Sequence, residues 1–143
     1  MTLTADAPAV ASRPSAAKQR LIVIGNGMAG ARAVEEIIDR GGSQQFHITM
    51  LGDEPHGNYN RISLSNVLAG SEDSAAIMLN PLDWYAHNAI ALHTGVRVTK
   101  LDRFSKTITA DHATTLRYDK LIIATGSRPF FGAPAVPVGE VTG

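Results

Sequence analysis

The sequence contains no cysteine, no excess of either charge and no long hydrophobic run. Without cysteine, the chain cannot form a disulfide, a cysteine-ligated zinc or iron–sulfur site, or a redox dithiol. Basic and acidic residues number 13 each, so the chain lacks the basic surface that nucleic-acid binding requires. No apolar stretch approaches the roughly 20 residues of a membrane span. We therefore expect neither nucleic acid nor membrane as a partner, and the absence of cysteine fits a reducing cytoplasm.

The first 18 residues are rich in alanine, serine, threonine and proline, with few large apolar side chains. Such a segment buries too little surface to offset the entropy lost on ordering, so residues 1–18 are predicted to form a disordered tail. The segment also lacks the basic start and apolar core of a secretory signal. At 143 residues the chain is long enough for about one domain, which we expect over residues 19–130.

A glycine motif follows the first strongly apolar run of the chain. Residues 20–24 are short, apolar and rich in β-branched side chains, which predicts a strand buried on both faces. The motif GNGMAG comes next, and residues 31–40 then carry apolar side chains at helical spacing. Gly41-Gly42 ends this helix, and residues 46–51 indicate a second strand. G-x-G-x-x-G between the strand and helix of a βαβ unit predicts dinucleotide binding.

The three glycines of this motif have different predicted roles. Gly25 permits a tight turn, Gly27 lets a diphosphate approach the backbone, and Gly30 lets the helix pack closely on the strand. The helix N-terminus offers N–H groups and about half a positive charge to that diphosphate. An acidic residue roughly 20 positions further on usually binds the ribose. Asp53 is the first candidate for this role and Glu54 the second.

The rest of the chain departs from a simple repetition of strand and helix. Two short helices and a strand come first, over residues 62–68, 81–88 and 89–92. Three alternating runs then predict a small antiparallel meander, over residues 96–101, 107–110 and 116–118. Residues 120–124 are another buried strand, which ends in a second glycine turn at 125–129, where open α/β sheets bind ligands. The predicted class is α/β, a Rossmann-like parallel sheet with a βαβ dinucleotide-binding unit and a small antiparallel β-meander.

Three stretches of the sequence resemble the pyridine-nucleotide-dependent flavoprotein reductases. They are IGNGMAG at 24–30, ITMLGDEPHGNYNRISLS at 48–65 and YDKLIIATGSRP at 118–129. The glycine motif alone would not single out this family, whereas the second and third stretches at this separation are much more specific. Together with the meander they look like the first half of an FAD domain of the glutathione-reductase type. Within the family, the resemblance is greatest to the large subunits of NAD(P)H-dependent nitrite reductases.

The resemblance implies roles for individual residues. The glycine loop would cradle the FAD diphosphate, and Asp53 would bind the adenosine ribose where relatives commonly have glutamate. Arg61 would lie near the phosphates and the flavin, the backbone of Val98 would contact adenine, and the second glycine turn would lie against the cofactor. The full set of expected cofactor-binding residues is Gly25, Asn26, Gly27, Met28, Ala29, Gly30, Asp53, Glu54, Arg61, Val98, Ala124, Thr125 and Gly126.

Two departures from the family pattern bear on the reactions that the chain could support. Asn66 stands where relatives often have a lysine against the flavin ring, and no cysteine is present for disulfide reduction. No catalytic residue is predicted. No metal site is predicted either, because the five histidines include no i,i+4 pair. Tyr59 and Trp84 could line a cofactor pocket, but core packing is the favoured interpretation.

The predicted function is that of the FAD-binding portion of an NAD(P)H-dependent oxidoreductase, with nitrite reductase as the favoured type. FAD would take hydride from NAD(P)H and pass electrons to a downstream metal centre. Residues 131–143 are expected to be an exit segment towards an NAD(P)H domain outside this sequence, and further reductase domains or subunits are the expected partners. The fragment alone is expected to be inactive. A non-catalytic nucleotide-binding or interaction module and a plain NAD-binding domain remain open as alternatives.

Overall fold

The computed structural model of the chain describes residues 17–127. The predicted tail, apart from its last two residues, and the predicted exit segment at 131–143 lie outside the described residues. The order of helices and strands agrees with the prediction from sequence. Their bounds are β1 Gln19–Ile24, α1 Met28–Asp39, β2 Phe46–Leu51, α2 Leu64–Leu68, α3 Leu82–His87, β3 Ile90–His93, β4 Val98–Asp102, β5 Thr107–Ala110, β6 Thr115–Arg117 and β7 Lys120–Ile123.

β1 is an inner strand of a parallel sheet with the order β3-β2-β1-β7. It pairs with β2 along its whole length, from Gln19 opposite Phe46 to Ile24 opposite Leu51, and with β7 on its other side. β4, β5 and β6 form a separate antiparallel sheet in that order. The predicted α/β class, with its βαβ unit and its small meander, is therefore confirmed.

Successive residues of β1 belong to two different cores, because neighbouring strand residues point to opposite faces of a sheet. The core on the helical side contains Leu21, Val23, Val34, Ile48, Met50, Tyr85 and Ile90. The core on the meander side contains Ile22, Ile24, Leu51, Ile108 and Tyr118. One strand that serves both cores must be apolar at nearly every position, and this explains the unbroken apolar run that begins at Leu21.

α1 begins nearly one turn earlier than the sequence predicts. Apolar periodicity starts at Ala31, but Gly27 is the N-cap, and the Ala31 N–H donates to the Gly27 carbonyl at 3.0 Å. The prediction assigned the whole glycine motif to the turn, whereas Met28 and Ala29 already lie in the first turn of the helix, where both are exposed. At the other end, Gly41 has a φ of 78° and terminates the helix as predicted.

The helices of this fold are short. α1 has 12 residues, α2 has 5 and α3 has 6. Within residues 17–127, none has both the length and the apolar character needed to cross a membrane. Trp84 of α3 is half-buried and packs against the core on the helical side, which confirms the core interpretation for that residue.

A bidentate ion pair joins the start of β1 to the residue before β7. Arg20 Nε and Nη2 each lie 3.0 Å from a carboxylate oxygen of Asp119, and the Arg20 backbone N–H donates to the same carboxylate at 2.7 Å. The Asp119 N–H donates back to the Arg20 carbonyl at 2.9 Å. Hydrogen bonds from the Arg20 side chain hold the pKa of Asp119 well below its ordinary value.

This ion pair predicts a loss of stability in acid. A carboxyl with a lowered pKa in the folded state stabilises the fold above its unfolded pKa of about 4, and that contribution disappears as the pH falls through the folded pKa. We expect Asp119→Asn to be less stable than the wild type at pH 7, with the difference shrinking progressively below about pH 4. Urea unfolding across this pH range measures the difference. In an Arg20→Gln background, Asp119→Asn should lower the free energy of unfolding by less, and the loss should depend less on pH. An unchanged loss in that background would show that the Arg20–Asp119 ion pair is not its cause.

Candidate functional site

A cleft of about 270 Å³ opens at the carboxyl edge of the parallel sheet. It is lined by Ile24, Gly25, Leu51, Asp53, Val96, Arg97, Val98 and Thr125. Parallel strands end at the same edge, so loops from distant parts of the chain converge where open α/β sheets bind their ligands. Four of the residues predicted from sequence are therefore brought together here, namely Gly25, Asp53, Val98 and Thr125.

Backbone hydrogen bonds continue the sheet beyond the ends of its strands. The Gly25 N–H donates to the Leu51 carbonyl at 2.7 Å, and the Ala124 N–H donates to the Ile24 carbonyl at 2.7 Å. Both bonds are made by main-chain groups that precede or begin a loop. They fix the point at which the glycine loop leaves the sheet.

Gly25 and Gly30 are required by the packing of the protein itself. Gly25 has a φ of +110°, and a Cβ at this position would overlap the carbonyl oxygen of Ala124. A Cβ on Gly30 would overlap the carbonyl oxygen of Gly25 and would lie 3.5 Å from the Ala124 Cβ. The first turn of α1 thus sits directly on the loop and on the end of β7, the close helix–strand packing expected from the motif.

Gly27 differs from the other two glycines of the motif. Its φ is −84°, which any residue adopts, and a Cβ there would have no heavy atom within 4 Å. No contact within the described fold requires glycine at this position. The absent side chain leaves an open space at the start of α1, as a bound phosphate group would need.

The start of α1 is suited to an anion. The N-cap glycine has no side chain to accept from the first N–H groups, and the first turn contains no acidic residue. These N–H groups have no intrahelical partner in any α-helix. Met28 and Ala29 are exposed beside the open space at Gly27, so a diphosphate there would receive hydrogen bonds and would be favoured by the helix dipole. The residues present therefore fit the diphosphate of a dinucleotide.

Asp53 follows the end of β2 and lines the cleft. Its Oδ2 lies 3.5 Å from Arg97 Nη2, and the two side chains are 42% and 54% exposed. A carboxylate at this place can accept hydrogen bonds from ribose hydroxyls. Arg97 was not predicted from sequence, because it lies 44 residues from Asp53 and only the fold brings the two together.

Glu54 and Arg61 pair with each other and do not line this cleft. Arg61 Nη2 lies 2.9 Å from Glu54 Oε1, and the Tyr59 hydroxyl donates to the same oxygen at 3.4 Å. The Arg61 guanidinium also lies 5.6 Å from the centre of the Tyr59 ring. The fold thus distinguishes the two carboxylates that the sequence offered for the ribose, since only Asp53 lies in the cleft. The contact of Arg61 with a cofactor stays a prediction.

The other predicted residues surround the loop. Ala124 supplies the carbonyl under Gly25, and Gly126, with a φ of +70°, turns the chain after β7. Met28 and Ala29 line a second hollow of about 510 Å³, between the start of α1 and residues 58–80. Asn26 is half-buried, and its amide contacts Tyr85. Over residues 17–127, no group of three or more His, Asp or Glu side chains could hold a metal ion.

Comparisons of the sequence with known proteins identify a family. The family model for pyridine nucleotide-disulphide oxidoreductases matches residues 19–140. Two similar curated relatives come from Bacillus subtilis (strain 168). A nitrite reductase (NAD(P)H) is 50% identical over 113 residues, or 79% of this chain, and an assimilatory nitrate reductase electron transfer subunit is 48% identical over 112 residues, or 78%. The aligned region spans only 14% of each relative.

A solved structure agrees with the fold. In the covalent putidaredoxin reductase–putidaredoxin complex, one chain superposes with a TM-score of 0.72 and is 28% identical in sequence. The superposition covers 85% of this chain and 28% of that one. The likeness extends over both sheets of the described fold, because so much of this chain is included.

The glycines of the loop should respond differently to alanine. Gly25→Ala should lower the free energy of unfolding by roughly 2 kcal/mol or more, because the backbone is left-handed there and the new Cβ meets a carbonyl. Gly27→Ala should cost only about 0.5–1 kcal/mol, the usual penalty for alanine at an N-cap. Urea unfolding followed by circular dichroism measures both. Equal losses at the two positions would contradict the packing described above.

Proposed function

The chain belongs to the pyridine nucleotide-disulphide oxidoreductase family, and from that membership we propose that it is the FAD-binding portion of an NAD(P)H-dependent reductase. One observation carries the proposal. The open space at Gly27 lies at the start of α1, and Asp53 lines the cleft at the same edge of the sheet. A dinucleotide needs a diphosphate site and a ribose site at such an edge, and these two features supply them.

The described residues divide the work of binding in this proposal. N–H groups at the start of α1 hold the diphosphate, Asp53 accepts from the ribose hydroxyls, and Val98 lies beside adenine. Arg61 exchanges its contact with Glu54 for the charged part of the cofactor, because hydrogen bonds between arginine and phosphate are strong. The remaining residues shape the surface against which the cofactor lies, namely Gly25, Asn26, Gly30, Ala124, Thr125 and Gly126.

When bound, FAD supplies the redox chemistry, and the protein supplies binding, orientation and electrostatics. We assign no acid–base residue to this chain. NAD(P)H is the proposed electron donor, held by a domain outside the sequence, and a metal centre in a further domain or subunit is the proposed acceptor. Nitrite reduction is the favoured overall reaction, because a nitrite reductase and a nitrate reductase electron transfer subunit are 50% and 48% identical to this chain. Since 14% of each relative is matched, donor, acceptor and partner domains all belong to the proposal.

Nucleotide binding by the purified chain tests the proposal. We expect FAD to bind, with quenching of flavin fluorescence, and Gly27→Ala to weaken FAD about tenfold or more, or about 1.4 kcal/mol, while the circular dichroism spectrum stays that of the wild type. Binding of NAD but not FAD would instead support a plain NAD-binding domain. Binding of neither nucleotide would support a non-catalytic module, and either result would overturn the proposal.

The role of Asp53 has a separate test. Asp53→Asn should weaken FAD several-fold, because a neutral amide is a poorer acceptor for two ribose hydroxyls than a carboxylate. The same substitution should leave the affinity for FMN unchanged, since FMN has no adenosine ribose. Asp83→Asn, at an exposed aspartate of α3, is the matched control and should alter neither affinity. An equal effect of Asp53→Asn on FAD and FMN would remove Asp53 from the ribose site.

A further inference from the structure

A buried hydrogen-bond network joins the glycine loop to three other parts of the fold. Its members are Asn26 of the loop, Glu35 of α1, Asn58 and Asn80 of the segment between β2 and α3, and Tyr85 of α3. Asn58, Tyr85 and Asn80 are 1%, 2% and 6% exposed. The hydrogen bonds connect residues between 22 and 59 positions apart in sequence. A buried network of this kind is stable only if its donors and acceptors are correctly matched.

The orientation of two asparagine amides follows from their partners. Asn80 Nδ2 donates to Glu35 Oε1 at 3.0 Å, so Asn80 Oδ1 is left to accept from Asn58 Nδ2, also at 3.0 Å. The backbone N–H of Asn80 donates to Asn58 Oδ1 at 3.1 Å. A backbone N–H can only donate. The amide of Asn58 therefore has its orientation fixed by two independent contacts.

Tyr85 has a single hydroxyl hydrogen and two neighbouring oxygens. Asn58 Oδ1 lies at 2.9 Å and Asn26 Oδ1 at 3.0 Å. Burial raises the pKa of Tyr85, so the hydrogen is retained at neutral pH. Asn58 Oδ1 can only accept, so it takes this hydrogen. With Asn26 Oδ1 also facing the hydroxyl, two oxygen atoms would lie in contact with no hydrogen between them.

Rotation of the Asn26 amide by half a turn removes this conflict. The two orientations of an amide have the same shape, and only hydrogen bonds distinguish them. In the rotated form Nδ2 donates to the Tyr85 hydroxyl oxygen. Oδ1 then takes the buried position at which Nδ2 has no partner among the described residues. This orientation is the better one, because a buried carbonyl without a partner is less unfavourable than a buried N–H without one.

We propose that Tyr85 is a positioning residue for the dinucleotide loop, which it holds through a hydrogen bond accepted from the Asn26 amide. Asn26 lies between Gly25 and Gly27. Its Cβ packs so closely on Gly52 that a Cβ added to Gly52 would lie only 3.0 Å from it. The side chain is thus packed against the end of β2 at its base and held by Tyr85 at its tip. A loop held in this way keeps the space at Gly27 open and loses little entropy when a diphosphate binds. The inference rests on the proposed function, because the loop would serve FAD.

Removal of the hydroxyl alone tests the contact. Tyr85→Phe should lower the backbone order parameters of Asn26 and Gly27 from about 0.85 towards about 0.6, measured by ¹⁵N relaxation without ligand. FAD affinity should fall roughly three- to tenfold, or about 0.7–1.4 kcal/mol. Tyr118→Phe is the matched control, since Tyr118 is also buried and its hydroxyl contacts the Asp102 carbonyl in the other core. The control should change neither quantity.

Asn26→Asp tests the direction of the hydrogen bond. A carboxylate accepts but does not donate, so it should disturb the loop as much as Tyr85→Phe if Asn26 is the donor. The double variant should then disorder the loop no more than Tyr85→Phe alone, because Tyr85→Phe already removes the bond that Asn26→Asp removes. A loop that stays ordered in Asn26→Asp would show that no donor is needed at position 26 and would overturn the orientation proposed here.

The two proposals fail in different ways. Unchanged order parameters in Tyr85→Phe, or equal losses in Tyr85→Phe and Tyr118→Phe, would overturn the positioning role whether or not FAD binds. Failure of the wild-type chain to bind FAD would overturn the proposed function. The order parameters without ligand would still decide the role of Tyr85 in that case.

Discussion

The pairing of β1 with a parallel strand on each side is the constraint on which the rest of the structure depends. It buries alternate β1 side chains in two cores, one under the helices and one under the meander. It also aligns the carboxyl ends of β1, β2 and β7, and backbone hydrogen bonds from Gly25 and Ala124 extend that alignment into the loops. Sheet pairing therefore fixes the point at which the glycine loop leaves the sheet, whereas the Asn26 side chain holds the middle of the loop.

The diphosphate side and the ribose side of the site are formed by different kinds of atoms. The diphosphate side is made by main-chain atoms in close contact, with Gly25 and Gly30 stacked against the end of β7. The ribose side is made by side chains, since Asp53 and Arg97 are both about half exposed and lie 3.5 Å apart. Backbone contacts of this kind leave little freedom, whereas half-exposed side chains can change rotamer when a ligand binds. The diphosphate side of the site is therefore rigid, whereas the ribose side can adjust to the ligand.

Local patterns of sequence predicted the strands, the helices and the glycine motif, because each depends on neighbouring residues. The start of α1 was missed because the whole glycine motif was assigned to the turn, although Met28 and Ala29 already belong to the helix. The order of preference between Asp53 and Glu54 rested on position alone, and only the fold shows that Glu54 already pairs with Arg61. The contacts of the Tyr85 hydroxyl were not predicted, because Asn26 and Asn58 lie 59 and 27 residues away in sequence. No spacing rule links a hydroxyl to amides at such separations.

The open space beside Gly27 distinguishes glycines that the fold requires from a glycine that only a bound nucleotide requires. Contacts within the protein account for the first and last glycines of the loop, whereas nothing within the described fold accounts for the middle one. A descendant that had abandoned its nucleotide would still have to keep the outer pair in order to fold, but it would be free to replace the middle residue by alanine or serine. A related domain that no longer binds a nucleotide should therefore be recognisable by a residue other than glycine at the middle position of the motif.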